Sequence, residues 1–340
     1  MDSKRVNSSD DLFLGIDVGG TDVKIGLVDE HGKLMDSHRI ATGELGSPER
    51  VFEYAVAHAR NQLRALGFAH HQLAAVGLAV PGVLDRNAHS LKEVVNLPAG
   101  WSDVPLQVAL NAVTQLPSIV ANDANAAAYA EHDHRDLADR SLALVTLGTG
   151  IGCGVIINGN PYDGDHGSAG ELGHIAIDFS DTAIPCTCGS RGHLESYAGA
   201  AGVVRRAAEA AARINGASPR TPREIAEAAE RGDQRCVQVI DDTARYVGQA
   251  VGMLCQIIDP EVVLIGGAMT FGGAESVVGQ GFLATIRQTV QQTTLVQVGG
   301  NVLIDFASLG NQAGMLGAAS LARRLVAPAH SSVRNFAKTE

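Results

Sequence analysis

The sequence predicts an α/β protein built from two related halves. Short apolar runs that read as strands alternate with longer stretches of helical periodicity along most of the chain. A strand, a Gly/Thr turn and a second strand open the chain, and the same pattern returns from residue 142. Late in the second half a wholly apolar strand closes on the double glycine Gly266-Gly267.

Residues 12–18 form the first strand, Gly19-Gly20-Thr21 the turn, 23–29 the second strand, and Glu30-His31-Gly32 a tight connection to a third strand running through Ile40. A helical stretch over 48–66 precedes a buried strand at 73–80, which a Pro81-Gly82 turn ends. A helix near 103–116, a strand at 118–121 and a helical stretch over 124–131 follow. The run Glu131-His132-Asp133-His134-Arg135-Asp136 looks metal-like, but mixed charges after a helix read as a solvated connection, and the hinge between halves is placed at about 125–140. The second half repeats strand (142–146), turn (Leu147-Gly148-Thr149-Gly150) and strand (152–157), and Asn158-Gly159-Asn160 closes a hairpin. An insertion over about 163–199, helices within 200–230 and 241–258, a strand at 262–265 and a last helix at 314–325 complete the pattern; the polar tail after it is left unstructured.

The 340 residues, 45% of them apolar, suffice for a large core. A net charge of −11 with scattered Lys and Arg argues against a nucleic-acid partner. No apolar run approaches the roughly 20 residues of a membrane span, and the polar start lacks a secretory pattern, so no membrane partner and a cytoplasmic location are expected. Cys153, Cys236 and Cys255 are isolated and read as reduced core thiols, whereas Cys186 and Cys188 are spaced suggestively.

Asp17-Val18-Gly19-Gly20-Thr21 and Gly148-Thr149-Gly150 both offer backbone N–H groups and a hydroxyl without Cβ obstruction, as a nucleotide phosphate requires. Either alone reads as a hairpin turn; two copies, the first led by a carboxylate, favour phosphate binding. Neither the G-x-x-x-x-G-K-[ST] nor the G-x-G-x-x-G pattern occurs. Asp17 is placed to hold Mg²⁺ through water, or else to cap the turn. Lys24 is placed either to reach a phosphate or to face solvent.

The chain resembles the ROK (repressor, open reading frame, kinase) sugar kinases. Residues 15–21, Val80-Pro81-Gly82, Asn96-Leu97-Pro98, residues 122–127, 148–152, Ala169-Gly170-Glu171-Leu172-Gly173-His174 and Cys186-Thr187-Cys188-Gly189 carry that resemblance, in family order. Gly310-Asn311-Gln312-Ala313-Gly314 is similar to the glucokinase members. The resemblance implies a two-domain actin-like ATPase (ribonuclease H-like) fold with duplicated halves: a small domain over 1–125, a large one over 126–311, and a helix at about 312–327 packing back on the first, with 328–340 a flexible tail. It implies ATP-dependent phosphorylation of a hexose primary hydroxyl, glucose first, with N-acetylglucosamine, N-acetylmannosamine or fructose as alternatives. A sugar-responsive transcriptional regulator is the reading from another class, set second because only about ten polar residues precede the first strand, too few for the repressors' helix-turn-helix.

Asp123 occupies the position of the family's catalytic base, although by itself Asn122 or Asp123 reads as an N-cap. Asn96, Asn122, Asp123, Glu171, His174 and Glu195 match sugar-binding positions, and Gly266 and Gly267 would let the backbone approach adenosine. His174, Cys186 and Cys188 match a zinc motif whose remaining cysteine is here His193, leaving two thiolates and two imidazoles, an acceptable tetrahedral set for a structural Zn²⁺. The resemblance also implies a homodimer.

Overall fold

The structure, a computed structural model, describes residues 11–69, 72–85, 89–92, 97–98, 100–213 and 218–326. Two five-stranded sheets form its frame. The first contains β1 (Leu12–Val18), β2 (Asp22–Asp29), β3 (Leu34–Ala41), β4 (Leu73–Val80) and β5 (Ser118–Asn122), in the order β3-β2-β1-β4-β5. The second contains β6 (Leu142–Leu147), β7 (Ile151–Ile157), β8 (Asn160–Pro161), β9 (Val262–Gly266) and β10 (Leu303–Phe306), in the order β10-β9-β6-β7-β8. In each, the first strand pairs antiparallel with the second and parallel with the fourth. The duplication expected from the repeated turn therefore extends to strand order and sense.

Local chemistry accounts for most element ends. The helix α2 (Pro48–Leu66), preceded by the single turn α1 (Thr42–Leu45), starts where the Ser47 side chain accepts from the Arg50 N–H with Pro48 in the first turn, and stops at left-handed Gly67. It buries Val51, Phe52, Ala55, Val56, Ala59 and Leu63, one stripe at helical spacing, against the first sheet. Trp101 is fully buried against Phe52, its indole N–H donating to the Gly46 carbonyl. The remaining helices are α3 (Leu106–Thr114), α4 (Asp123–His134), α5 (Leu194–Ala198), α6 (Ala200–Ala212), α7 (Pro222–Glu230), α8 (Gln234–Ile258), α9 (Val277–Thr293), α10 (Val296–Gly299) and α11 (Ala313–Val326). No helix among the described residues is long and apolar enough to cross a membrane.

Two helices exchange sheets. α4 follows the first sheet in sequence but packs on β6 and β7, whereas α11 follows the second and packs on β1 and β4; the two helices also pack on each other. Glycine permits this closeness. A Cβ on Gly77 would lie 1.8 Å from the Ala318 carbonyl oxygen, one on Gly154 2.0 Å from that of Ala124, and one on Gly317 1.7 Å from that of Ala126.

Three regions depart from the sequence reading. The charged run 131–136 is no solvated connection: its first four residues are the last turn of α4, Glu131 and His132 are buried, and Asp133 receives Arg323 on both oxygens at 2.7 Å. Partners from remote parts of the chain bury the start of this polar run, while His134 and Asp136 stay exposed. α8 begins seven residues before 241, because Asp233 caps it by accepting the Arg235 N–H. α9 and β10 carry no clear signal, since Gly279 and Gly281 weaken the helical pattern and β10 is only four residues long.

Gly77→Ala is expected to cost about 3 kcal/mol or more in chemical denaturation, since the added Cβ would strike the Ala318 backbone, not the far end of a flexible side chain. Gly43→Ala, where an added Cβ meets nothing within 4 Å, should stay within about 1 kcal/mol of the parent.

Candidate active site

A cleft of about 1050 Å³ lies between the two sheets. Of the residues singled out from sequence, Asp17, Gly19, Lys24, Asp123, Gly150, Glu171, His174, Glu195, Gly266 and Gly267 line it. Asn96 lies outside the described residues, as does the tail beyond 326.

Asp17 sits at the end of β1, directly opposite Lys24 in the antiparallel register, and the Lys24 ammonium is 3.0 Å from its Oδ2. The first turn of α11 presses on the same carboxylate: a Cβ on Gly314 would stand 2.7 Å from the Asp17 Cγ. Gly19 holds its turn through its N–H to the Asp22 carbonyl, and its own carbonyl accepts the Thr42 hydroxyl at 2.6 Å. Gly20 and Thr21 are exposed at the tip of that turn.

Asp123 is the first residue of α4. Asn122 is the N-cap: its Oδ1 accepts from the N–H groups of Ala124 and Asn125, and its Nδ2 donates to the Gly82 carbonyl at 3.1 Å. Capping by Asn122 leaves Asp123 facing the cleft, with the Ala124 N–H donating to its Oδ1 at 2.8 Å. Burial pushes the Asp123 carboxyl up and the charge of Asp17 pushes it the same way; backbone N–H groups pull it down and Glu171 raises it again, leaving it at about 6.

The second Gly/Thr turn meets the cleft through Gly150, while Gly148 is occupied by hydrogen bonds to Gly150 and Ala200. Glu195, in the first turn of α5, accepts the Ile151 N–H on Oε2 at 2.9 Å, and a Cβ on Gly150 would fall 2.4 Å from that oxygen. The glycine at 150 therefore admits a carboxylate.

Next to the cleft, one ligand atom each from His174, Cys186, Cys188 and His193 lies within 4.8 Å of all the others. The Cys188 sulfur is 3.3 Å from the His193 Nδ1 and the Cys186 sulfur 3.8 Å from the His174 Nδ1. Tetrahedral Zn²⁺ with bonds of about 2.1 and 2.3 Å requires ligand separations of about 3.4–3.8 Å, so this set can hold it after small rotations. The turn is preset by backbone hydrogen bonds from Cys186 to Ser190 and from Gly189 to Cys186, with Gly189 left-handed at φ 93°. Burial opposes ionisation of Cys186, but hydrogen bonds from the Cys188 backbone and side chain, Ser196 and His193 bring its thiol down to about 6.

Sequence reasoning missed part of the wall. Thr270, Gly272, Gly273, Glu275, Phe306, Ala307 and Glu131 complete the cleft, beside Asn311 and Gly314 of the ending similar to the glucokinase members. Gly267, Gly272 and Gly273 all have positive φ, and a Cβ on Gly267 would strike the Leu147 carbonyl oxygen at 2.2 Å. The second glycine pair, six residues after the first, was the available signal.

The model of the ROK family matches residues 13–325. A glucokinase of Halalkalibacterium halodurans is 32% identical over 93% of this chain and 96% of its own length. Among solved structures, the ROK hexokinase from Thermus thermophilus has a TM-score of 0.75 at 32% identity, covering 92% of this chain and 97% of its own. A ROK family glucokinase from Streptomyces griseus, in complex with glucose and AMPPNP, has a TM-score of 0.68 at 29% identity over 92% and 99% of the two chains. The two-sheet α/β architecture is thus the sugar-kinase form of the actin-like ATPase fold.

A carboxyl raised from 3.8 to about 6 by folding contributes stability that is present in full below its unfolded value and lost as pH rises through about 6. Asp123→Asn removes the titration. Its stability relative to the parent, followed by urea denaturation, should increase between pH 4 and 6, by at most about 3 kcal/mol, and level off above.

Proposed function

We propose, starting from the fact that the chain belongs to the ROK family, that it is a sugar kinase transferring the γ-phosphoryl group of ATP to the primary hydroxyl of a hexose, glucose first. The observation that carries this reading is the Asp123 carboxyl, held at about 6 in the wall of a cleft it shares with both glycine turns. Such a group is ionised at neutral pH yet basic enough to accept an alcohol proton. As the sugar oxygen forms its bond to the γ-phosphorus, its proton passes to Asp123 and the bond from that phosphorus to the oxygen of departing ADP breaks.

Asp17, with Oδ1 free of the Lys24 contact, is suited to hold Mg²⁺ through water. Bound Mg²⁺ supplies neutralisation of charge on the phosphate oxygens. Gly19 and Gly150 bring backbone to the phosphates, and Gly266 and Gly267 let the nucleoside approach. Glu171, His174 and Glu195 offer the acceptors and imidazole that distinguish one hexose hydroxyl from another. Five unpaired cysteines fit a reducing cytoplasm.

A structural zinc at His174, Cys186, Cys188 and His193 extends the same reading. His174 directs Nδ1 at Cys186 while its Nε2 is 4.0 Å from the Glu171 Oε2, so a metal on one nitrogen would orient the other toward the sugar side. His193 is also the residue before α5, whose first turn carries Glu195.

A coupled ADP-release assay over glucose, N-acetylglucosamine, N-acetylmannosamine, fructose and mannose tests the kinase reading. Glucose should turn over best, kcat/KM should rise with pH to a plateau above about 6, and Asp123→Ala should lower kcat about 10²- to 10⁴-fold. No turnover with any sugar, in folded and zinc-replete protein, would sink the proposal. For the metal, emission spectroscopy should find about one zinc per chain, lost in Cys186→Ser. Sugar affinity should weaken before nucleotide affinity as zinc is withdrawn; verified zinc-free protein with unchanged sugar affinity would overturn this role.

A further inference from the structure

One wall of the cleft contains a carboxylate that the reaction above does not use. Glu131 is 0% exposed and lies about two turns beyond Asp123 on α4. Its Oε1 accepts the N–H groups of Ser308 and Leu309, each at 2.7 Å, and its Oε2 accepts the Ser308 hydroxyl at 2.8 Å. Arg135, one turn further on, is 3.4 Å from Oε2 and donates to the Phe306 carbonyl at 3.2 Å. A buried carboxylate costs several kcal/mol unless its lone pairs are filled. Here Ser308 and Leu309, some 175 residues away in sequence, supply the hydrogen bonds, and Arg135 pairs with Oε2 while tying down Phe306 of the same segment, residues 306–309.

That segment forms part of the cleft. Phe306 and Ala307 line it directly, and Gly310, Asn311 and Gly314 follow. The Ala307 N–H donates to the Ile265 carbonyl at 2.9 Å, and the Ala307 Cβ would stand 3.0 Å from a Cβ on Gly266. The segment held by Glu131 therefore packs on the glycine pair assigned above to adenosine. Asp123 and Glu131 ride on one helix, so whatever fixes this segment to Glu131 also fixes its distance from the proton acceptor.

We propose that Glu131 is a positioning residue for the nucleotide: through residues 306–309 it holds the nucleoside-binding wall in register with Asp123. This inference rests on the kinase reading. It assigns Glu131 an effect on nucleotide affinity and none on hexose affinity or on the titration of Asp123.

Glu131→Gln keeps the volume and one acceptor but turns an amide toward Arg135 and the Ser308 hydroxyl. Its dissociation constant for ADP, by titration calorimetry, and its KM for ATP should rise about ten- to a hundredfold. KM for the preferred hexose and the pH of the acidic limb should stay put. Ser308→Ala removes one of the hydrogen bonds and should raise the same two nucleotide constants about two- to tenfold. A role in stability alone would leave ADP affinity unchanged in folded Glu131→Gln, or would raise the hexose and ATP constants together; either result overturns the proposal. Should Glu131→Gln fail to fold, Ser308→Ala decides by the same criteria. If the parent binds no ADP, the kinase reading itself falls and this inference with it, whereas a parent active on sugar beside an unaltered variant removes only the positioning role.

Discussion

The closeness of α4 and α11 to the strands beneath them sets the geometry of the rest of the molecule. Backbone oxygens of these helices occupy the places where side chains of Gly77, Gly154 and Gly317 would stand, so each helix is located by hard contact. The cleft inherits that definition. Asp123 opens α4, and the first turn of α11 lies against Asp17, so the two carboxylates to which the proposed reaction gives roles are placed by the same contacts that join the halves. Burial first, and the nearby Asp17 charge second, push the Asp123 carboxyl up, so this placement is electrostatically unfavourable. Packing supplies the energy that keeps two acids near one another in a partly dry place.

A second layer of placement comes from loops that donate to remote carboxylates. Glu195 fastens the Gly148–Gly150 turn through the Ile151 N–H, and Glu131 fastens the segment after β10. Both carboxylates satisfy backbone N–H groups that a turn cannot satisfy internally. The His/Cys cluster sits just ahead of Glu195 in sequence, and His193 directly precedes the helix whose first turn carries that carboxylate.

Much of this was legible in sequence where chemistry is local. The glycine turns, the strand boundaries at 12–18 and 73–80, and the Pro48 start of α2 depend on a few adjacent residues, and the structure places them as read. Asn122 and Asp123 form an intermediate case: the sequence shows that one of them caps α4 and leaves open which one. The carboxylates of Glu131 and Asp133 are the opposite case, because Ser308, Leu309, Ser320 and Arg323, which pair with them, lie about 175–190 residues away. Glycines such as Gly77 and Gly154 read as ordinary strand residues until the opposing helix is known. Periodicity identifies a buried face, but not which distant element covers it.

The exchange of helices between sheets has a consequence for biosynthesis. The first sheet is made early, yet the helix that covers the Gly15 and Gly77 face, α11, is translated after every strand of both sheets. Throughout most of elongation that face has no native cover, and the nascent chain must carry it unsatisfied or shield it with a chaperone. The two halves therefore cannot mature in order of synthesis like beads on a string; completion of the earlier one waits on the end of the later one.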